Sequence, residues 1–193
     1  MKYYVVTFTH TRILGWLLYL YAHIKYLKRL IKQGKLQVSG PGLGTPIRSA
    51  QLVFNVTDKD ELNRLVNNDP FSIHGLVASS TVNLWDVKYG SMLKPDTPDS
   101  EGTKYFRGTY CLKDGVNTSS VEQARDNYIR LLMSKRKLRA SGNYVGNVPS
   151  GLTILSVASF LEAEDIMKHD PYVAQLGATY QVTEWNPLFG EFK

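Results

Sequence analysis

Cysteine is nearly absent, since Cys111 is the only cysteine in the 193 residues. A single thiol excludes an intrachain disulfide and a cysteine-based metal site. No zinc-ligand spacing occurs elsewhere, so we expect no metal. The strand pattern around Cys111 predicts that its side chain faces the core.

A long hydrophobic run is also missing. The most apolar stretch, residues 13–24, is shorter than a membrane-spanning helix, contains His23 and continues into a basic helix. It also lacks the small-residue cleavage site of a secretory signal. We therefore expect a cytoplasmic protein with no membrane partner.

The sequence lacks the motifs of nucleotide and nucleic-acid binding. The glycine-rich run at 40–44 does not stand between a strand and a helix, as a dinucleotide-binding loop does. The strand predicted around 51–54 lacks the aromatic and basic signature of an RNA-binding module. A nucleophile elbow is absent too. We expect no cofactor and no nucleic-acid partner.

Positive charge is abundant, with a net charge of +6, and the apolar content of 43% supports packed cores. The basic excess lies on the first helix and in the run from Lys135 to Arg139. Solvated helix faces and ends are the favoured interpretation. An anionic small-molecule substrate and a nucleic-acid stripe are the alternatives.

The chain repeats itself. Segment 34–40 matches segment 136–142, segment 69–71 matches 170–172, and both halves end a strand on tryptophan, at Trp85 and Trp185. Matched landmarks in the same order indicate two copies of one module. We predict domains at 1–93 and 104–193, joined by a proline-rich linker at 94–103.

Each half predicts the order β-α-β-β-α-β. Strands are expected at 2–9, 35–39, 49–56 and 76–87, and again at 105–112, 137–141, 152–158 and 179–185. Asp58, Ser119 and Ser159 are the expected helix caps, and Gly40-Pro41 is expected to turn the chain. The order predicts an α+β fold of two ferredoxin-like modules, whose antiparallel sheets pair into a dimeric α+β barrel-like body.

The first helix, expected from about residue 12 to Gln33, carries more apolar surface than one sheet can cover. Besides its core face, Leu14, Leu18 and Tyr21 form a second stripe. A spare stripe predicts an interface between modules or subunits, or a lid on a pocket, and we expect a homodimer. The apolar tail around Phe189 is expected to dock on the other module.

Several landmarks together resemble the YCII-related (YciI-like) family. They are the helix that carries His23, the Ser-Gly-Pro run at Ser39, the Asp-Pro-Phe stop at Asp69 and the strand that ends near Trp85. The resemblance covers both halves of the chain. It implies modules of the dimeric α+β barrel superfamily with an active site built on a His–Asp pair. One member is a dehydrochlorinase that acts on a chlorinated hydroxyquinol.

Carried over by position, the resemblance implies His23 and Asp69 as the catalytic pair and Ser39 as a substrate-binding neighbour. In the second half Arg125 stands where His23 would be, which implies that only the first module keeps the pair. An imidazole held by a carboxylate can take and return a proton near neutral pH. Such chemistry suits elimination or isomerisation of a small molecule.

His10 and Arg12 lie where the first strand meets the helix, and we predict that both bind substrate; for Arg12 the alternative is a surface residue in the first helical turn. For His23 the alternative is a helix histidine bonded to a backbone carbonyl, and for Asp69 it is a helix stop before proline. The predicted function is therefore a small-molecule lyase or isomerase of unknown substrate. A non-catalytic ligand-binding or assembly module is the alternative.

Overall fold

The computed structural model describes residues 2–10, 13–44, 48–94, 99, 101–146 and 148–192. Arg12 and most of the expected linker, 95–98 and 100, lie outside the described residues.

The secondary structure repeats one order twice and adds a short final strand. The first half contains β1 (Lys2–His10), α1 (Ile13–Lys32), β2 (Leu36–Leu43), β3 (Arg48–Phe54), α2 (Lys59–Asn67), α3 (Pro70–Ile73) and β4 (Val77–Gly90). The second half contains β5 (Lys104–Cys111), α4 (Glu122–Ser134), β6 (Leu138–Tyr144), β7 (Ser150–Val157), α5 (Phe160–His169), α6 (Pro171–Ala174), β8 (Thr179–Trp185) and β9 (Phe189–Gly190).

The chain packs as two compact units. We call residues 2–84, together with the segment that starts at Asn186, the N-terminal unit, and residues 85–185 the C-terminal unit. The division thus falls inside β4. The C-terminal unit includes the end of β4, which is the tail of the first repeat, and the N-terminal unit includes the segment from Asn186, which is the tail of the second repeat. The module boundaries proposed from sequence follow the repeat itself and stay a prediction.

In the N-terminal unit the strand order is β4-β1-β3-β2, with β9 beside β2. β1 and β2 both pair antiparallel with β3. The core lies between this sheet and the buried face of α1, where Leu27 and Leu30 pack with Phe8, Leu52 and other apolar side chains. Alternation along β1 and the helical spacing on α1 place these residues on one face each.

In the C-terminal unit the strand order is β6-β7-β5-β8, and the end of β4, from Trp85 to Gly90, pairs with β6. All of these pairs are antiparallel. The core joins α4 and α5 to the sheet through residues such as Phe106, Ile129, Leu155 and Met167. The α+β class expected from the sequence is the class of this fold.

Glycine ends α1 as the sequence predicts. Gly34 has φ +69°, its N–H donates to Ile31 O (2.9 Å), and Lys35 N donates to Leu30 O (3.0 Å). This pair of bonds is the Schellman arrangement, which needs a left-handed residue. In the second repeat Arg136 takes the same place with φ 56°.

Three local expectations were wrong. Gly40-Pro41 does not turn the chain but continues β2, opposite Gln51 and Ala50 of β3. The reason is a distant partner, since Asn186 N donates to Pro41 O (3.0 Å) and a Cβ on Gly40 would lie 1.9 Å from Asn186 O.

The other two wrong expectations concern Cys111 and Ser119. Cys111 is exposed, because its neighbours Tyr110 and Leu112 take the core face of the strand. α4 begins after Val121, which makes no side-chain cap, and Ser119 does not cap it. The caps expected at Asp58 and Ser159 are present.

Within the described part of the chain, no helix combines the length and the apolar content needed to cross a bilayer.

Candidate active site

His23 and Asp69 meet in the N-terminal unit. His23 lies on the buried face of α1, and Asp69 is the N-cap residue of α3. His23 Nδ1 lies 2.8 Å from Asp69 Oδ1, and the two residues are 8% and 2% exposed. Nearly complete exclusion from solvent strengthens such a charge-assisted bond.

The short helix α3 fixes the pair. Asp69 Oδ1 also accepts a hydrogen bond from Phe71 N (2.8 Å), as an N-cap carboxylate does. The Phe71 ring stacks on the His23 ring, with 4.0 Å between centroids and 10° between planes. The Asp-Pro-Phe sequence therefore supplies both the hydrogen-bond partner and the packing partner of the imidazole.

This geometry sets the tautomer of His23. An ionised carboxylate only accepts hydrogen bonds, so Nδ1 carries the proton that it donates to Asp69. The other ring nitrogen, Nε2, has no hydrogen-bond partner among the described residues. A neutral His23 therefore presents an unshared lone pair at Nε2, which is the requirement for a general base.

A cavity of about 400 Å³ opens beside His23. Its walls are mainly apolar and are formed by Trp16, Leu20, Ile24, Leu27, Pro41, Leu43, Ala50, Phe71, Leu188 and Phe189. The polar side chains on its wall are His10, His23, Ser39, Arg48 and Ser49. Asp69 is not on the wall, so it supports His23 from behind.

Ser39 presents a hydroxyl that the protein does not use. It is 3% exposed and lines the cavity, and its side chain has no hydrogen-bond partner among the described residues. The matching Ser141 hydroxyl is bonded to Thr153 Oγ1 (2.8 Å). In the first repeat Leu52 stands opposite Ser39 where Thr153 stands opposite Ser141, so Ser39 lacks the hydroxyl partner that Ser141 has.

His10 also lines the cavity. Its Nδ1 lies 3.1 Å from Leu76 O, and because a carbonyl only accepts, Nδ1 is the donor. Its ring meets Phe71 edge-on, with 5.2 Å between centroids. Burial lowers the pKa of His10 below its ordinary value, and the bond to Leu76 offsets part of that shift. His10 is therefore a neutral side chain with Nε2 as an acceptor.

Three of the proposed site residues, His23, Ser39 and His10, line one cavity, and Asp69 adjoins it. Arg12 lies outside the described residues. Sequence reasoning missed Phe71 as the stacking partner of His23, although the Asp-Pro-Phe landmark contained it. It also missed Arg48, which becomes visible only when β3 is paired with β1, opposite His10.

The C-terminal unit holds a different pair in the matching place. Arg125 Nε lies 3.0 and 3.1 Å from the two carboxylate oxygens of Asp170, which caps α6 through Tyr172 N. The Arg125 guanidinium lies over the rings of Tyr110 and Tyr172, at 4.6 and 4.2 Å from their centroids. An arginine stays protonated, so this pair does not exchange protons at neutral pH.

Residues 19–86 match the YCII-related domain family. This segment includes His23, Ser39, Asp69 and Phe71. The chain contains a YCII-related domain. The resemblance predicted from the sequence is thereby confirmed over this segment, whereas the tandem arrangement stays a prediction.

Solved structures share the fold around this YCII-related domain. A candidate monooxygenase from Fusobacterium nucleatum aligns over 97% of this chain and 92% of its own, with 12% identity and a TM-score of 0.67. Chlorite dismutase from Candidatus Nitrospira defluvii aligns over 97% and 92%, with 12% identity and a TM-score of 0.61. At such identities the likeness shows the α+β fold alone.

A 5-chloro-2-hydroxyhydroquinone dehydrochlorinase from Burkholderia phenoliruptrix is 27% identical over 44% of this chain and 93% of its own, with a TM-score of 0.39. No match was found among curated proteins. Among the described residues, no three His, Cys, Asp or Glu side chains stand together as metal ligands.

Proposed function

We propose that this chain is a small-molecule enzyme of the lyase or isomerase type that works by proton transfer. The observation that carries the proposal is the 2.8 Å bond between His23 Nδ1 and Asp69, with the His23 ring on the wall of a cavity. The substrate is unknown. The chemistry proposed here requires no cofactor.

In the proposed mechanism His23 is the general acid/base. Its Nε2 takes a proton from a C–H or O–H group of the substrate, and the resulting imidazolium is stabilised by Asp69. The proton then returns to another atom of the substrate, in isomerisation, or to a leaving group, in elimination. Asp69 holds the Nδ1–H tautomer throughout.

Ser39 and His10 are proposed to bind the substrate. The unused Ser39 hydroxyl can donate to a substrate oxygen, and neutral His10 can accept from a substrate hydroxyl. Apolar walls keep bulk water from these bonds and so strengthen them. Arg12 stays a predicted substrate-binding residue.

The C-terminal unit is proposed to be structural. The Arg125–Asp170 pair retains the helix cap but not a group that titrates near neutral pH. The strand orders β4-β1-β3-β2 and β8-β5-β7-β6 support the interpretation as two ferredoxin-like modules. The pairing of the two antiparallel sheets in a barrel, and the cytoplasmic location, stay proposals.

A second candidate is a non-catalytic protein that binds a small ligand in the same cavity. The observation in its favour is the replacement of His23 by Arg125 in the other repeat, which shows that the fold does not need the histidine. The two candidates differ in whether His23 moves a proton or merely lines a binding site.

Hydrogen–deuterium exchange separates the candidates. A panel of small carbonyl compounds and phenols is incubated in D2O with the protein, and loss of C–H signals is followed by NMR. We expect catalysed exchange of at least one compound, and a decrease of about 100-fold or more in His23→Gln. His74→Gln, on the exposed side of α3, is the control and should retain the rate.

The enzyme proposal is contradicted if no compound exchanges faster than without protein, or if His23→Gln exchanges as fast as the parent. Retained ligand binding together with absent exchange would favour the binding module.

We also propose that the chain forms a homodimer through α1. Leu18 and Tyr21 of the second stripe expected from the sequence are 79% and 78% exposed in the single chain. Leu17, which the helical spacing had placed on the core face, is also exposed, at 59%. A second copy can cover such a surface, whereas a monomer would leave adjacent large apolar side chains in water.

A further inference from the structure

Among the described residues, the wall of the cavity beside His23 carries one permanent charge. Arg48 is the only lysine or arginine among the residues that line it, and no aspartate or glutamate lines it in the described part of the chain. His10 is neutral, because burial, with a smaller contribution from the nearby Arg48 charge, lowers its pKa. Among the described residues on this wall, Arg48 therefore supplies a positive charge with no carboxylate beside it.

Arg48 is held at this position by the fold. It is the first residue of β3 and pairs with His10 of β1. Its guanidinium lies over the Trp16 ring, 5.1 Å from the centroid. A cation–π contact of this kind does not use the guanidinium N–H groups as hydrogen-bond donors.

The N–H groups of Arg48 are not used by an acidic side chain. Among the described residues Arg48 forms no salt bridge, whereas Lys35, Arg125 and Arg130 each have a carboxylate partner. Arg48 is exposed and lines a mainly apolar cavity. A guanidinium in such a place matches a carboxylate, which accepts two parallel N–H bonds.

The remaining walls restrict the rest of the ligand. The volume of about 400 Å³ is at the small end of ligand pockets, which hold roughly 300–1,000 Å³. Trp16 and Phe71 contribute aromatic surface, and Leu20, Ile24 and Leu188 contribute aliphatic surface. A compact apolar body therefore fits the interior while its charge stays at Arg48.

We propose that this cavity binds a small apolar carboxylate, with the guanidinium of Arg48 as its anion-binding group. This inference rests on the proposed function in that it names the substrate class for the same cavity. Arg48 then determines specificity without taking part in proton transfer.

The test measures binding and does not require turnover. Matched pairs of probes (benzoate and benzamide, cinnamate and cinnamamide, 2-naphthoate and 2-naphthamide) are titrated into the full chain and followed by calorimetry. We expect the carboxylate of at least one pair to bind about tenfold or more tightly than its amide, the equivalent of about 1.4 kcal/mol. Acetate, which has the charge without the apolar body, should bind far more weakly.

Variants assign the charge preference to one residue. Arg48→Gln should remove the preference for carboxylate over amide while the amide binds as before. Arg29→Gln is the matched control, since Arg29 also stacks on an aromatic ring, at 5.0 Å from the centroid of Tyr26, but does not line the cavity. It should retain the preference.

Several outcomes overturn the inference. They are binding of no probe, equal binding of acids and amides, acetate binding as tight as that of the aromatic acids, or a preference that survives Arg48→Gln. His23→Gln keeps the two proposals apart, because it should abolish proton exchange but retain carboxylate binding. If the parent protein catalyses no exchange but still binds carboxylates, the enzyme proposal is removed and this one stands.

Discussion

At the scale of residues, Asp69 and Asp170 each cap a short helix but bind different side chains, His23 and Arg125. His23 is an imidazole, whereas Arg125 is a permanently charged guanidinium. Arg125 is 5% exposed and Asp170 is 2% exposed, so this charge pair is buried. Removing the carboxylate charge should therefore have unequal effects at the two sites.

Asp170→Asn should lower the free energy of unfolding by about 3 kcal/mol or more, because Arg125 is left buried without a counter-charge. Asp69→Asn should cost only about 1 kcal/mol, since one oxygen accepts both bonds there and an amide oxygen can replace it. Urea unfolding at neutral pH measures both. Equal losses would contradict this account of the two sites.

His10 predicts a pH dependence of stability. Burial holds its folded-state pKa below the ordinary value of 6.5, so the unfolded chain takes up a proton first as the pH falls. Above both pKa values His10 is neutral in both states and does not affect the free energy of unfolding. As the pH falls from the pKa of His10 in the unfolded chain to its pKa in the folded protein, stability is lost.

The check compares the parent protein with His10→Asn by chemical unfolding between about pH 7.5 and pH 5. The parent should lose more stability than the variant over this interval. His74→Asn, at an exposed ring, is the control. If the free energy of unfolding depends on pH in the same way in the parent and in His10→Asn, the prediction is contradicted, because His10 then has the same pKa in the folded and unfolded states.

At the scale of elements, the sequence was sufficient to predict those features of helices and strands that depend on residues close in the chain. The periodicity of α1, its glycine end and the caps at Asp58 and Ser159 all depend on residues close in the chain. The extended path through Gly40 could not be predicted, because a segment of the second repeat, at Asn186, lies against it. Arg48 was missed for the same reason, since only strand pairing brings it beside His10.

The C-terminal ends of α1 and α4, at Gly34 and Arg136, allow the energetic cost of the left-handed conformation to be measured. Arg136 has φ 56° where Gly34 has φ +69°, and the same backbone bonds surround both. Arg136→Gly should raise the free energy of unfolding by about 0.5–1 kcal/mol, and Gly34→Ala should lower it by about 1 kcal/mol.

A Cβ on Gly34 would meet no atom within 4 Å, so backbone strain alone is measured. Thermal and urea unfolding give the two values, with Gly146→Ala as a control at a glycine that has ordinary φ and free space. A loss of stability in Arg136→Gly, or no loss in Gly34→Ala, would contradict the assignment of strain.

At the scale of the whole molecule, the internal repeat was readable from the sequence, but the composition of the packed units was not. Short landmarks identified the matching residues of the two halves, including His23 and Arg125. The exchange of tails depends on hydrogen bonds between backbone groups, which leave no side-chain signature. Glycine at Gly40 and Gly142 is its one visible trace, since both lie against tail backbone.

Assembly through α1 predicts a concentration-dependent dimer. Leu18→Lys with Tyr21→Lys should shift the protein to monomer in sedimentation equilibrium, because two charges would lie in the apolar contact. Leu161→Lys, at a residue that is 75% exposed on α5, is the control and should leave the mass unchanged. A parent protein that stays monomeric at high concentration would exclude the homodimer.

The strand pairing of the tail also sets an order of events during synthesis. His23, Ser39 and Asp69 leave the ribosome well before Leu188 and Phe189, which line the cavity. A nascent chain can therefore form the His23–Asp69 bond before it has a closed binding site. The cavity wall is therefore complete only once translation has passed Phe189.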